Sequence, residues 1–110
     1  MDGSAPLEIS VDELAQRRKD SETLAVLDVR EPWELDICRL PDSITIPLSG
    51  LPGRLDALPR DTPLVVLCHH GMRSERAVLW LRGNGFANAV NLAGGIDAWA
   101  RRIDPAMRTY

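Results

Sequence analysis

Leu64-Val65-Val66-Leu67-Cys68-His69-His70-Gly71-Met72-Arg73-Ser74 runs from a wholly apolar segment into a cysteine, a short glycine-bearing loop and a helical pattern. Four consecutive apolar residues read as a strand buried on both faces, the signature of a parallel sheet covered by helices on both sides. Cys68 then stands at the carboxyl end of a central strand, where open α/β sheets place their ligands. The pattern predicts a helix from about Ser74 to Arg82, with Ala77, Val78 and Leu81 inward and Gly83 and Gly85 ending it. The unpaired N–H groups and positive dipole end of that helix face Cys68, a setting that favours a thiolate. A free cysteine is more often a small buried apolar residue. Here the strand end, the glycine and Arg73 argue for a nucleophile.

Outward from this stretch, strands and helices alternate. Leu7-Glu8-Ile9 reads as a short strand. Ser10-Val11-Asp12-Glu13 has the spacing of a capping box opening a helix to about Lys19, with Val11, Leu14 and Ala15 on one face. Leu24 to Leu27 reads as a second buried strand, which puts Asp28 on the same sheet edge as Cys68. Pro32 and Trp33 open a helical turn to about Asp36, and Ile44-Thr45-Ile46 is a brief strand closed by Pro47. Leu51, Leu55 and Leu58 suggest a helix stopped by Pro59. Ala89 to Leu92 is the last strand, and Gly94-Gly95 turn into a helix to about Arg102. The alternation implies one α/β layered domain over residues 1–110 with a mainly parallel sheet. Met1 to Ala5 reads as a free start, and Trp80 and Trp99 as core.

The chain has 110 residues, 45% of them hydrophobic, and a formal net charge of −3, so bulk charge gives no reason to expect nucleic-acid binding. No apolar stretch is long enough for a membrane span, and the N-terminus lacks the layout of a signal peptide. Two cysteines, Cys38 and Cys68, are too few for a disulfide scaffold and suit a reducing cytoplasm. His69 and His70 are the only histidines. Two adjacent imidazoles do not readily hold one metal, so no metal and no cofactor is expected.

Cys68-His69-His70-Gly71-Met72-Arg73-Ser74 resembles the active loop of the rhodanese sulfurtransferases, whose pattern is Cys-x-x-Gly-x-Arg/Ser/Thr. Leu27-Asp28-Val29-Arg30-Glu31-Pro32-Trp33-Glu34 is similar to that family's Asp-Val-Arg segment. Asn91-Leu92-Ala93-Gly94-Gly95-Ile96-Asp97-Ala98-Trp99 is similar to its closing Gly-Gly-x-x-x-Trp segment. Together these span roughly residues 6 to 102. The resemblance implies a mostly parallel five-stranded sheet with helices on both faces and a persulfide carried on Cys68. His69, His70, Gly71, Met72, Arg73 and Ser74 would cradle the anionic sulfur, with main-chain amides inward and side chains outward. Asp28, Arg30 and Glu31 would stand behind them: Asp28 as an acid/base or as a support for Arg30 or the loop, Arg73 as an anion clamp or paired with Asp28 or Glu31.

Two rival chemistries follow from the same stretch. A phosphatase or arsenate reductase on this fold would use Cys-x5-Arg, but the count here is Cys68-x4-Arg73, with Ser74 at the longer loop's arginine position. A persulfide carrier without turnover of its own is the other. Cys38-Arg39-Leu40-Pro41 and the tail Asp104 to Tyr110 resemble the sulfurtransferase domain fused to adenylyltransferases of ubiquitin-like sulfur carriers. The implied partners are a small sulfur donor and acceptor, and such a carrier or its adenylyltransferase. Asp42 stands where many rhodaneses have glycine.

Overall fold

The computed structural model describes residues 6–110; the free start expected over 1–5 lies outside them. Five strands form one sheet: β1 (Glu8–Ile9), β2 (Ala25–Asp28), β3 (Ile44–Thr45), β4 (Leu64–Leu67) and β5 (Ala89–Leu92). Their order across the sheet is β1-β5-β4-β2-β3, and every pairing is parallel. β4 is central, and all four of its residues are buried. Alternate side chains enter opposite cores, as the strand period of two requires. Leu64 and Val66 pack with Ala77, Val78, Leu81 and Phe86 on one face. Val65 and Leu67 pack with Leu14, Leu92, Ile96 and Trp99 on the other.

The helices are α1 (Val11–Lys19), α2 (Pro32–Leu35), α3 (Met72–Gly83) and α4 (Gly95–Arg102). Ser10 caps α1 by accepting the Glu13 N–H at 3.1 Å, while the Glu13 carboxylate turns to Arg17 at 2.7 Å, so only half of the expected box forms. α3 starts two residues earlier than its apolar pattern suggests, because Gly71, at φ +108°, turns the chain directly into the helix. A side chain at Gly71 would be strained there.

The helix expected around Leu51, Leu55 and Leu58 is absent. The segment forms two 3₁₀ turns, Leu48–Gly53 and Leu55–Ala57. Pro52 lies inside the first and supplies no N–H, and glycines flank it, so an α-helical ladder is not sustained. Leu51 and Leu58 still reach the core. Trp99 is buried as expected, but Trp80 is 38% exposed and borders a groove with Leu48, Leu51, Pro52 and Arg76. At Asp42 the backbone keeps the left-handed conformation, φ +63°, that a glycine would supply. Aspartate tolerates this better than most residues.

Candidate active site

The loop Cys68–Ser74 is held from both sides. Its carbonyls face α4: Ile96 N–H donates to Cys68 O at 2.9 Å and Asp97 N–H to His69 O at 3.1 Å. Gly95, at φ +60°, lets α4 approach this closely, since a Cβ there would fall on the Cys68 carbonyl oxygen and 2.6 Å from that of His69. With the carbonyls satisfied by one helix, the amides turn to the thiol. Gly71 N–H donates to Cys68 Sγ at 3.1 Å and Ser74 N–H at 3.4 Å; the Ser74 hydroxyl lies 3.4 Å away. The Ser74 N–H is free because the third residue of a helix has no intrahelical acceptor. Cys68 is 1% exposed and forms the floor of an open pocket of about 320 Å³, lined by His69, His70, Met72, Arg73 and Arg76. A cavity of similar volume, about 330 Å³, opens beside Pro6, Arg17 and Asn88 and is lined by neither a cysteine nor a histidine.

Three further residues, to which the sequence pattern assigns no role, are bonded to this loop or its arginine. Asn91, buried on β5, accepts from the Ser74 hydroxyl and donates from Nδ2 to Gly71 O at 3.1 Å, tying both ends of the glycine turn to the sheet. A lone amide in an otherwise apolar strand was the available signal, since buried polar side chains need partners. Glu34 takes Arg73 in a two-pronged pair, NH1 to Oε2 at 2.8 Å and NH2 to Oε1 at 2.7 Å. Arg73 thus pairs with neither Asp28 nor Glu31. Glu31 is exposed at the start of α2, and its N–H donates to Glu34 Oε2 at 2.8 Å. Tyr110 donates its hydroxyl to Glu34 Oε1 at 2.7 Å. No local sequence pattern connects it to the loop.

Behind the loop, Asp28 and Arg30 form a fully buried ion pair, NH2 to Oδ2 at 2.7 Å and Nε to Oδ1 at 2.9 Å. The His69 ring lies over Tyr110 at 3.8 Å, nearly parallel. Burial first, and the neighbouring His70 second, push the His69 pKa below the ordinary imidazole value. Among the described residues, His69, His70 and Asp97 alone bring three metal-capable atoms within 4.8 Å. His69 Nε2 is occupied by Tyr110 O at 2.9 Å and Asp97 by Arg101, also at 2.9 Å. Met72 is 74% exposed at the rim, and Trp33 stands edge-on to Tyr110.

The Glu34 pKa is lowered to about 2; hydrogen bonds from Arg73 are the main cause, burial opposes them, and the Glu31 N–H and Tyr110 hydroxyl assist. A carboxylate depressed on folding stabilises the fold above its ordinary value of 4.5 and loses that contribution as pH falls toward about 2. Across that window the thermal midpoint of the native protein should therefore fall more steeply than that of Glu34→Gln. Parallel slopes would remove Glu34 from the acid response.

A strand-end cysteine met by two inward amides and a hydroxyl on a wholly parallel sheet defines a class: a rhodanese-type loop on a rhodanese-type fold. Residues 10–102 match the family model of the rhodanese-like domain, and the chain belongs to that family. It is 37% identical over 94 residues to a sulfurtransferase of Allochromatium vinosum, covering 86% of this chain and 88% of that protein. It is 41% identical over 98 residues to the adenylyltransferase and sulfurtransferase MOCS3-2 of Zea mays, covering 83% of this chain but only 20% of the maize protein. The crystal structure of a rhodanese-related protein from Thermoplasma volcanium superposes with a TM-score of 0.80 at 38% identity, covering 89% and 94% of the two chains. These relatives place the chain in the sulfurtransferase class.

Proposed function

We propose that this domain transfers sulfane sulfur as a persulfide on Cys68. The supporting observation is the convergence of the Gly71 and Ser74 amides and the Ser74 hydroxyl on Sγ, within 3.1–3.4 Å. Donors so arranged suit an anionic sulfur held where the loop turns inward. The Cys68 thiolate attacks the outer sulfur of a donor such as thiosulfate. A Cys68–S bond forms, the donor's S–S bond breaks, and sulfite leaves with the bonding pair. An acceptor nucleophile then takes the outer sulfur and returns the thiolate, which gives ping-pong kinetics.

The open mouth suits an acceptor that presents an end rather than one that must be enclosed; enclosing sites bury most of a small ligand. The segment Glu34 to Pro41 and the tail Asp104 to Tyr110 resemble the domain serving ubiquitin-like sulfur carriers, and the maize relative joins a sulfurtransferase to an adenylyltransferase. The physiological acceptor on this reading is an adenylated carrier C-terminus, in a reducing cytoplasm where Cys38 and Cys68 stay free.

Incubation with thiosulfate and cyanide, with intact mass after the donor alone, tests the chemistry. One added sulfur on Cys68 and release of thiocyanate are expected. Phosphoester hydrolysis without sulfur uptake would favour the phosphatase alternative, and sulfur uptake without release to any acceptor a carrier. Thiocarboxylate on a carrier protein of the same cell, formed faster than thiocyanate at equal concentration, would support the acceptor. Efficient turnover with cyanide and none with carriers would leave a general sulfurtransferase.

A further inference from the structure

The segment after α4 packs Met107 and Tyr110 against the core on the α1/α4 face of the sheet, beside Cys38 and Ile103. Its end reaches the catalytic loop. The Tyr110 hydroxyl sits between two charged groups, accepting from Arg30 NH1 at 3.1 Å and donating to Glu34 Oε1 at 2.7 Å. Its ring stacks on His69, and its main-chain oxygen accepts from His69 Nε2 at 2.9 Å. One side chain thus touches the buried Asp28–Arg30 pair, the Glu34–Arg73 pair and the residue after the nucleophile.

We infer that Tyr110 is a positioning residue for the sulfur site: through Glu34 it fixes where the Arg73 guanidinium stands relative to Cys68, and so how strongly the site draws an anionic reagent. Glu34 Oε1 receives both the tyrosine hydroxyl and Arg73 NH2. Oε2 is held by the Glu31 N–H and by Arg73 NH1, so the tyrosine hydroxyl shares with Arg73 NH2 the setting of Oε1, and the guanidinium follows the carboxylate, since a two-pronged pair transmits angle as well as distance. Arg30 completes the chain: its NH2 is held by Asp28 and by Cys38 O at 2.8 Å, and its NH1 anchors the hydroxyl while also donating to Glu34 O at 3.4 Å. Burial first, with the Glu34 contact, pushes the Tyr110 pKa up to about 12, so the hydroxyl keeps its proton and remains a donor at any working pH.

This rests on the sulfurtransferase reading only for the identity of the natural anion, and its test needs no turnover. Alkylation of Cys68 is followed by mass with two probes, anionic iodoacetate and neutral iodoacetamide. The ratio of their rates reports the positive potential at Sγ, whereas a general loosening of the fold changes both rates together. Tyr110→Phe, which keeps the ring, should lower the iodoacetate-to-iodoacetamide ratio by about threefold or more. In a Glu34→Gln background, where the hydroxyl has no carboxylate left to orient, Tyr110→Phe should change the ratio little further, the mark of residues acting in series. With thiosulfate as donor, Tyr110→Phe should raise KM with little change in kcat. An unchanged ratio in Tyr110→Phe overturns the inference. So does strict additivity with Glu34→Gln, or an effect in Tyr110→Leu that Tyr110→Phe does not share. A native protein that moves no sulfur would overturn the functional reading and leave the alkylation test of Tyr110 standing.

Discussion

Cys68→Ser is expected to abolish sulfur transfer, on the order of 10³-fold or more, while the domain stays folded. The size of the loss follows from the chemistry, because a covalent intermediate cannot form without its nucleophile, and residues that act as a unit fail together. The fold should survive because the Ser oxygen can accept the same Gly71 and Ser74 N–H groups that now point at Sγ. A changed hydrogen bond of this kind costs on the order of 1 kcal/mol. Cys38→Ser is the control. Its side chain is half-buried at the margin of the core on the α1/α4 face, and it joins the network through its main chain, the carbonyl accepting from Arg30 and the N–H donating to Glu34 O. That variant should retain most activity. Thiocyanate release and intact mass decide it: an inactive Cys38→Ser beside an active Cys68→Ser would reverse the assignment.

The sequence made the position of the Cys68 thiol readable and left the partner of Arg73 unreadable, for a physical reason. Leu64 to Leu67 have one low-energy environment, a strand covered on both faces, and the cysteine after such a strand has a defined place. Asp28 follows by the same geometry, and the structure pairs Asp28 with Leu67 across β2 and β4. The partner of Arg73 has no such constraint. Asp28, Glu31 and Glu34 all lie within seven positions of one another. The choice among them is made by α2, which starts at Pro32, leaves Glu31 exposed and brings the Glu34 carboxylate back to the Glu31 N–H. Tyr110 lies 76 residues from Glu34 and 41 from His69, and nothing local ties it to either. The 3₁₀ turns around Leu51 were readable in burial but not in type, because leucines three and four apart satisfy either helix while Pro52 decides between them.

Arg30→Met should be the most destabilising of the single changes considered. Arg30 and Asp28 are both wholly buried, and Arg30 also serves Cys38 O and the Tyr110 hydroxyl. Removing the cation leaves the Asp28 carboxylate in the interior with no opposite charge, a change that costs about 3–5 kcal/mol. Domains of this size are stable by only about 5–15 kcal/mol in all. Replacing both partners by apolar residues removes the stranded charge as well as the pair, so Asp28→Leu/Arg30→Met should recover part of the loss. Recovery stays partial because the carbonyl of Cys38 and the hydroxyl of Tyr110 still lose their partner. Urea unfolding at neutral pH measures both variants: a single variant within about 1 kcal/mol of the native protein would mean that Asp28 finds water or another donor when Arg30 is gone. The double variant also separates stability from function, for a refolded core without Arg30 still lacks the anchor that orients Tyr110 and Glu34. Sulfur transfer from an anionic donor should therefore remain impaired in a protein whose unfolding midpoint has partly returned.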